Sequence, residues 1–160
     1  MITRRSATLF AALLLAIPAL AADKPNFSGT WKLDAAKSDF GQFPAPDKYE
    51  SVITHQDPAL TVKTTQTGQM GEITFESKYT TDGKEFTNED RRGKSTGTAT
   101  WDGATLVISQ SRKFNRDGQE MEFKSVEKWT LAEDGKTLTV NAHISSQMGE
   151  MNMKRVLARQ

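Results

Sequence analysis

The chain has 160 residues, 21 basic against 20 acidic, 36% apolar side chains and no cysteine. Lack of cysteine excludes disulfides, thiolate catalysis and cysteine-held metals, so the fold must hold through its own apolar core. The near balance of charge gives no sequence-wide attraction to nucleic acid or to an anionic membrane.

Arg4 and Arg5 precede an apolar run from Ala7 to Leu20 that ends in Ala19-Leu20-Ala21. This is the pattern of a cleaved secretory signal over Met1 to Ala21, and the run is too short for a membrane span. The Thr3-Arg4-Arg5 start carries little else of a twin-arginine leader, so ordinary secretion is the expected route. Position 22 is Ala, not the cysteine of a lipoprotein, and the expected product is a soluble periplasmic or secreted monomer with no membrane anchor. Without Arg4 and Arg5, 19 basic residues face 20 acidic ones. The stretch 22–160, about 139 residues, suits one domain.

Residues 27–33 alternate, with Phe27, Gly29, Trp31 and Leu33 on one face and Ser28, Thr30 and Lys32 on the other. The long connection 34–48 has room for a helical turn at Asp34-Ala35-Ala36-Lys37, and Pro44 and Pro46 forbid more. Nine further strands are predicted over 49–55, 59–66, 71–81, 84–91, 94–101, 104–115, 119–131, 136–147 and 150–159. Asp-Gly pairs at 82–83, 102–103, 117–118 and 134–135 separate several of them. Asp-Gly favours the type I′ turn, whose twist matches that of paired strands. Asp57-Pro58, Gly68, Arg92-Gly93 and Gly149 punctuate the rest. Short sequential hairpins predict an all-β, antiparallel up-and-down meander barrel of about 8–10 strands, closed so that no edge is left exposed.

Tight turns also predict register. A two-residue Asp102-Gly103 loop would pair Trp101 with Ala104, Ala99 with Leu106 and Gly97 with Ile108. Asp117-Gly118 pairs Phe114 with Met121, Arg112 with Phe123, Gln110 with Ser125, Ile108 with Glu127 and Leu106 with Trp129. Asp134-Gly135 pairs Leu131 with Leu138, Trp129 with Val140 and Glu127 with Ala142. A last hairpin closed at Met148-Gly149 would pair Ile144 with Met153 and Ala142 with Arg155. That places Glu127 and Arg155 two strand spacings apart, about 9.6 Å, across Ala142. Two readings follow: a structural ion pair inside the barrel, or a polar anchor for a ligand head group.

Strand direction sorts side chains by end. Trp31, Trp101, Trp129, Leu131, Leu138, Leu157 and Arg159 fall at the end carrying the turns at 82, 102 and 134, which the three tryptophans plug. Met70, Met121, Met148, Met151 and Met153 fall at the other end. Thioethers adapt to variously shaped apolar partners, as an entrance requires, although such residues equally serve as core filler.

Phe27-Ser28-Gly29-Thr30-Trp31, at the head of a strand, resembles the Phe-x-Gly-x-Trp start of the calycins, the lipocalins and fatty-acid-binding proteins. The resemblance implies a meander barrel with an arginine from the last strand, Arg159 or Arg155 here, over that tryptophan. Ten strands match the fatty-acid-binding branch. The 34–48 connection is shorter and richer in proline than that branch's helical lid, and Arg155-Val156-Leu157 departs from its Arg-x-Tyr carboxylate clamp. Haem-holding ten-strand barrels need an inward histidine. His143 faces out, and His55, beside the Asp57-Pro58 turn, is expected at the solvated surface.

The expected ligand-binding set is Tyr79, Phe86, Ile108, Gln110, Arg112, Phe123, Ser125, Glu127, Met151, Met153 and Arg155, with Phe75 and Ile144 in the apolar wall. The expected partner is a small apolar or amphipathic molecule, with no nucleic acid, no metal and no cofactor. The alternative is a cell-envelope protein-interaction module with a filled core. A cofactor-independent isomerase or hydrolase ranks last: there is no Gly-x-Ser-x-Gly elbow, no histidine cluster and no phosphate loop, and Glu127 is its one candidate base.

Overall fold

The computed structural model describes residues 24–160 except Met70, Arg91, Arg92, Asp117 and the side chain of Arg116. The stretch Met1 to Ala21, expected from sequence to be a secretory signal, and the expected rim position Met70 therefore lie outside the described residues.

Ten strands follow one another: β1 (Gly29–Leu33), β2 (Lys48–Gln56), β3 (Ala59–Gly68), β4 (Gly71–Thr80), β5 (Glu85–Asp90), β6 (Gly93–Asp102), β7 (Thr105–Arg116), β8 (Gln119–Leu131), β9 (Thr137–Ser146) and β10 (Gly149–Arg159). Every neighbour in sequence except β4 and β5 is an antiparallel neighbour in space, and β1 pairs with β10, giving one continuous sheet in the order β4-β3-β2-β1-β10-β9-β8-β7-β6-β5. The result is a nearly closed up-and-down barrel. The helical turn anticipated at Asp34 is a 3-10 turn, Ala35–Lys37, capped by the Asp34 side chain. An isolated bridge between Asp39 and Lys154 ties this connection to β10.

The barrel stops short of full closure between β4 and β5. There the Asn88 side chain takes the place of a strand: its Oδ1 accepts from the Lys78 N–H at 2.7 Å and its Nδ2 donates to the Lys78 carbonyl at 2.9 Å. A side-chain amide has the donor and acceptor of a peptide group, so one asparagine can satisfy both backbone groups of one edge residue.

Register agrees with expectation across β7–β8 and β8–β9, where Leu106 faces Trp129 and Trp129 faces Val140. It differs at two hairpins. The β6–β7 loop is Gly103-Ala104, so Trp101 faces Leu106, Ala99 faces Ile108 and Gly97 faces Gln110. The β9–β10 loop is Gln147-Met148, so Met151 faces Ile144, Met153 faces Ala142 and Arg155 faces Val140. In both cases the residue taken for a turn corner, Asp102 or Gly149, pairs as the last or first member of a strand. Each slip is two residues, one full period of the pleat, so pairs shift along the strand while every side chain keeps its face.

One end is filled. Phe27 and Trp31 are fully buried. Phe27 stacks on Trp101 at 5.8 Å and meets Trp129 edge-on at 5.7 Å, while Arg159 lies over Trp31 at 4.5 Å. Arg159 also donates to the carbonyls of Gly135 and Ser28, so Arg159, and not Arg155, is the arginine over the motif tryptophan. Gly29 explains the motif's small residue: its φ is +142°, and a Cβ there would lie 3.1 Å from Arg159 Nη1. His55 is a correction. It is 4% exposed, with its ring against both Phe27 at 5.6 Å and Trp101 at 6.0 Å, because it continues the inward series Ser51, Ile53, His55 of β2.

Candidate functional site

Above the plug the inward residues become small and polar. Ser51, Thr64 and Ser77 stand on β2, β3 and β4, with Ile53 and Val62 below Ser51 and Thr64 toward the plug, in the row of Ser77. Ser51 faces Thr64 across its pair, Val62 faces Ser77, and the Ser51 and Thr64 hydroxyls are 2.8 Å apart. No large side chain fills the space in front of them, and a cavity of about 180 Å³ results. Tyr49, Phe75 and Tyr79 complete this wall. The opposite wall carries Gln110, Arg112, Glu127 and Arg155, and Trp129, Val140 and Leu157 form the floor over the aromatic plug.

Two ion pairs organise the polar wall. Arg155 Nη2 donates to Glu127 Oε1 at 2.8 Å, and its Nη1 donates to the Tyr49 hydroxyl at 3.1 Å. The other carboxylate oxygen, Oε2, accepts from Trp129 Nε1–H at 2.9 Å. Burial opposes the Arg155 charge, but the Tyr49 oxygen and Glu127 carboxylate outweigh it and hold its pKa above the usual guanidinium value. Arg112 meets Asp90 at 3.3 Å and also reaches the Gly93 carbonyl and the Ser95 hydroxyl. Burial, reinforced by the negative charge of Glu127, pushes the Tyr79 hydroxyl up to about 12 despite its hydrogen bond with Ser77. Tyr79 therefore meets the cavity as a neutral phenol near neutral pH.

The register shift changes how Glu127 and Arg155 meet. They do not sit in one row across Ala142; Arg155 is in the row of Val140 and Trp129. The long side chains still span the offset.

Six of the residues singled out from sequence, Phe75, Tyr79, Gln110, Arg112, Glu127 and Arg155, line the cavity. Phe86 and Ile108 do not; they are core residues, 7% and 0% exposed, with Phe86 edge-on to Tyr79 at 4.8 Å. Phe123 stacks on Phe114 at 5.4 Å near the end opposite the plug. Ser125, Met151 and Met153 face inward on β8 and β10 beside Gln110, Ile144 and Ala142, outside the cavity lining. Met148, in the last hairpin loop, is 71% exposed. Sequence reasoning missed Tyr49, Ser51, Ile53, Val62 and Thr64. Their signal was the inward alternation of β2 and β3, which no Asp-Gly turn tied to the rest of the barrel.

No protein-family model matches the chain, and no curated protein does. Solved structures do. Zebrafish ileal bile acid-binding protein complexed with cholic acid superposes with a TM-score of 0.57 at 19% identity, over 84% of this chain and 98% of that one. A secretory abundant heat soluble protein from Ramazzottius varieornatus gives 0.59 at 10% identity, over 86% and 98%. Human cRBP IV gives 0.54 at 18% identity, over 85% and 99%. At these identities the likeness is one of fold: the chain is a calycin-like barrel, as the Phe27-x-Gly29-x-Trp31 start implied.

Proposed function

We propose that this barrel is a binding protein, not an enzyme, that holds one small amphipathic molecule in its central cavity after export to the periplasm or beyond. The cavity carries the reading: about 180 Å³ bounded by apolar Ile53, Val62, Phe75, Trp129, Val140 and Leu157 and by hydrogen-bonding side chains opposite. Apolar side chains give such a site its affinity and placed polar groups fix a ligand's orientation; the many polar groups here suit an amphipathic molecule. A similar fold in a bile acid-binding protein complexed with cholic acid supports the general use of such a barrel. Size narrows the ligand. An apolar cavity of about 150 Å³ holds a benzene ring, so this one takes a single ring or a short chain, not a steroid. Among the described residues that line the cavity, Glu127 accepts hydrogen bonds on both oxygens, and His55 lies in the plug, which supports binding over catalysis.

Two measurements test this. Mass spectrometry of the gently purified native protein is expected to show a co-purifying molecule of roughly one ring in size. A Ser51→Leu/Thr64→Leu variant, which fills the cavity, is expected to stay folded and lose it. A native protein that carries nothing and binds no single-ring compound would favour the filled-core interaction module.

A further inference from the structure

We propose that the cavity selects a neutral, hydroxyl-bearing ligand and rejects carboxylates, and that Glu127 is the residue that sets this selectivity. The inference rests on the reading of the cavity as a ligand site and adds the chemical class of the ligand.

Each arginine that lines the cavity has a carboxylate partner. Arg155 is held by Glu127 at 2.8 Å and Arg112 by Asp90 at 3.3 Å. Both members of the first pair are mostly enclosed, with about a fifth or less of each side chain exposed. An entering carboxylate at the Arg155 side of the wall has two options. It can sit beside the intact pair, where it meets a like charge on Glu127 in a site of low polarisability. Or it can take Arg155 for itself, which leaves the Glu127 carboxylate with only the Trp129 N–H. Removing one partner of a buried pair is among the costlier changes a protein interior can suffer.

Neutral groups remain available. The Gln110 amide forms no side-chain hydrogen bond to the described residues, so both its donor and its acceptor face the ligand. The Tyr49 hydroxyl accepts from Arg155 and keeps its own proton to donate. Ser51 and Thr64 use one proton between them and have another to give. A hydroxyl on the ligand, which both donates and accepts, matches these groups; a carboxylate matches only the donors. A site built to bond a hydroxyl also rejects analogues lacking it, because its polar groups are then left unpaired.

The test compares benzyl alcohol with benzoate, two single-ring probes of nearly equal size, by titration calorimetry near neutral pH. The wild-type protein is expected to bind the alcohol at least about tenfold more tightly. Glu127→Gln keeps the shape and an acceptor for Arg155 but removes the charge, and should reverse the order so that benzoate binds more tightly. Glu127→Gln/Arg155→Met removes both charges and should restore the preference for the alcohol; Arg155→Met alone, which leaves a carboxylate unpaired, should bind benzoate more weakly than wild type. Circular dichroism establishes that each variant is folded, and the last two variants carry the test if Glu127→Gln is not. Equal or tighter binding of benzoate by the wild type, or an unchanged preference in folded Glu127→Gln, overturns the selectivity while leaving the cavity a binding site. Binding of neither probe to the wild type overturns both readings.

Discussion

The plugged end and the central cavity are lined by the same strands with the same alternation, yet one is packed with rings and the other is hollow. Along β2 the inward series runs Tyr49, Ser51, Ile53, His55, from cavity to plug. Along β8 it runs Ser125, Glu127, Trp129, Leu131. Strand number does not decide the difference, because one set of strands runs through both halves. Space appears where serine and threonine stand at adjacent inward positions on three neighbouring strands. Side-chain volume, not backbone path, separates the structural half from the binding half.

The largest way to break this contrast is to empty the filled half. Trp31 is fully buried, its Nε1–H bonds the Phe27 carbonyl at 2.9 Å, and Arg159 covers its face. Trp31→Ala is expected to cost about 3–5 kcal/mol in urea denaturation. A loss below about 1 kcal/mol would mean the plug contributes no more than an ordinary surface site.

Gly97 gives the next effect, and it links the two halves. A Cβ there would lie 2.1 Å from the Ser109 carbonyl oxygen and 2.7 Å from Gln110 Cα, so β6 and β7 would have to part. Gly97→Ala is expected to cost about 1–3 kcal/mol, as overpacking does. Because the displaced neighbour is Gln110, weaker binding of neutral ligands should accompany the lost stability. Unchanged denaturation and unchanged binding together would show that the close approach is not required.

Much of this was legible before any coordinates. Ten strands, the meander and the aromatic plug follow from alternation and turn residues, and faces survive errors of two residues because the pleat repeats every two. That is why Gln110, Arg112, Glu127 and Arg155 came to the right wall although the Met148-Gly149 loop was placed one residue too late. Position along a strand did not survive such errors, and so Phe123, Met151 and Met153 were assigned to a cavity that lies closer to the plug. The Ser51 and Thr64 wall was not legible, because a small polar residue on an inward face looks in sequence like any other strand serine or threonine. His55 was misread for a related reason: a histidine beside a turn reads as surface unless the register of its strand is known.

His55 offers a smaller effect that sharpens the comparison with pH. Its Nδ1 accepts the Phe27 N–H at 3.3 Å, so the proton sits on Nε2, which is buried without a partner. Burial lowers its pKa below the ordinary histidine value of about 6.5; Asp57 works the other way, and Lys24 adds to the lowering. With the folded value depressed, both states are neutral above about pH 6.5 and stability is complete there. Below it the unfolded chain takes up the proton more readily, so stability falls as the pH drops from 6.5 toward the folded value. His55→Phe keeps a ring in the stack and removes the titration. The urea midpoint of the wild type should decline between about pH 7 and pH 5 more steeply than that of the variant; parallel curves would place His55 outside the plug.

The smallest change tests the hollow half. Thr64→Val alone leaves the Ser51 hydroxyl, 2% exposed, without its partner at 2.8 Å, and is expected to cost about 1–2 kcal/mol. Ser51→Ala/Thr64→Val removes both hydroxyls and should recover most of that loss, since an apolar pair of similar shape has no desolvation to offset. Stability and binding then separate: the double variant is nearly as stable as wild type, yet its cavity has lost two hydroxyl partners and should hold benzyl alcohol several-fold more weakly. In the plug no such separation is expected, because its central rings, Phe27 and Trp31, are fully covered by neighbouring side chains. A double variant that bound the alcohol as well as wild type would shift recognition onto Gln110 and Tyr49.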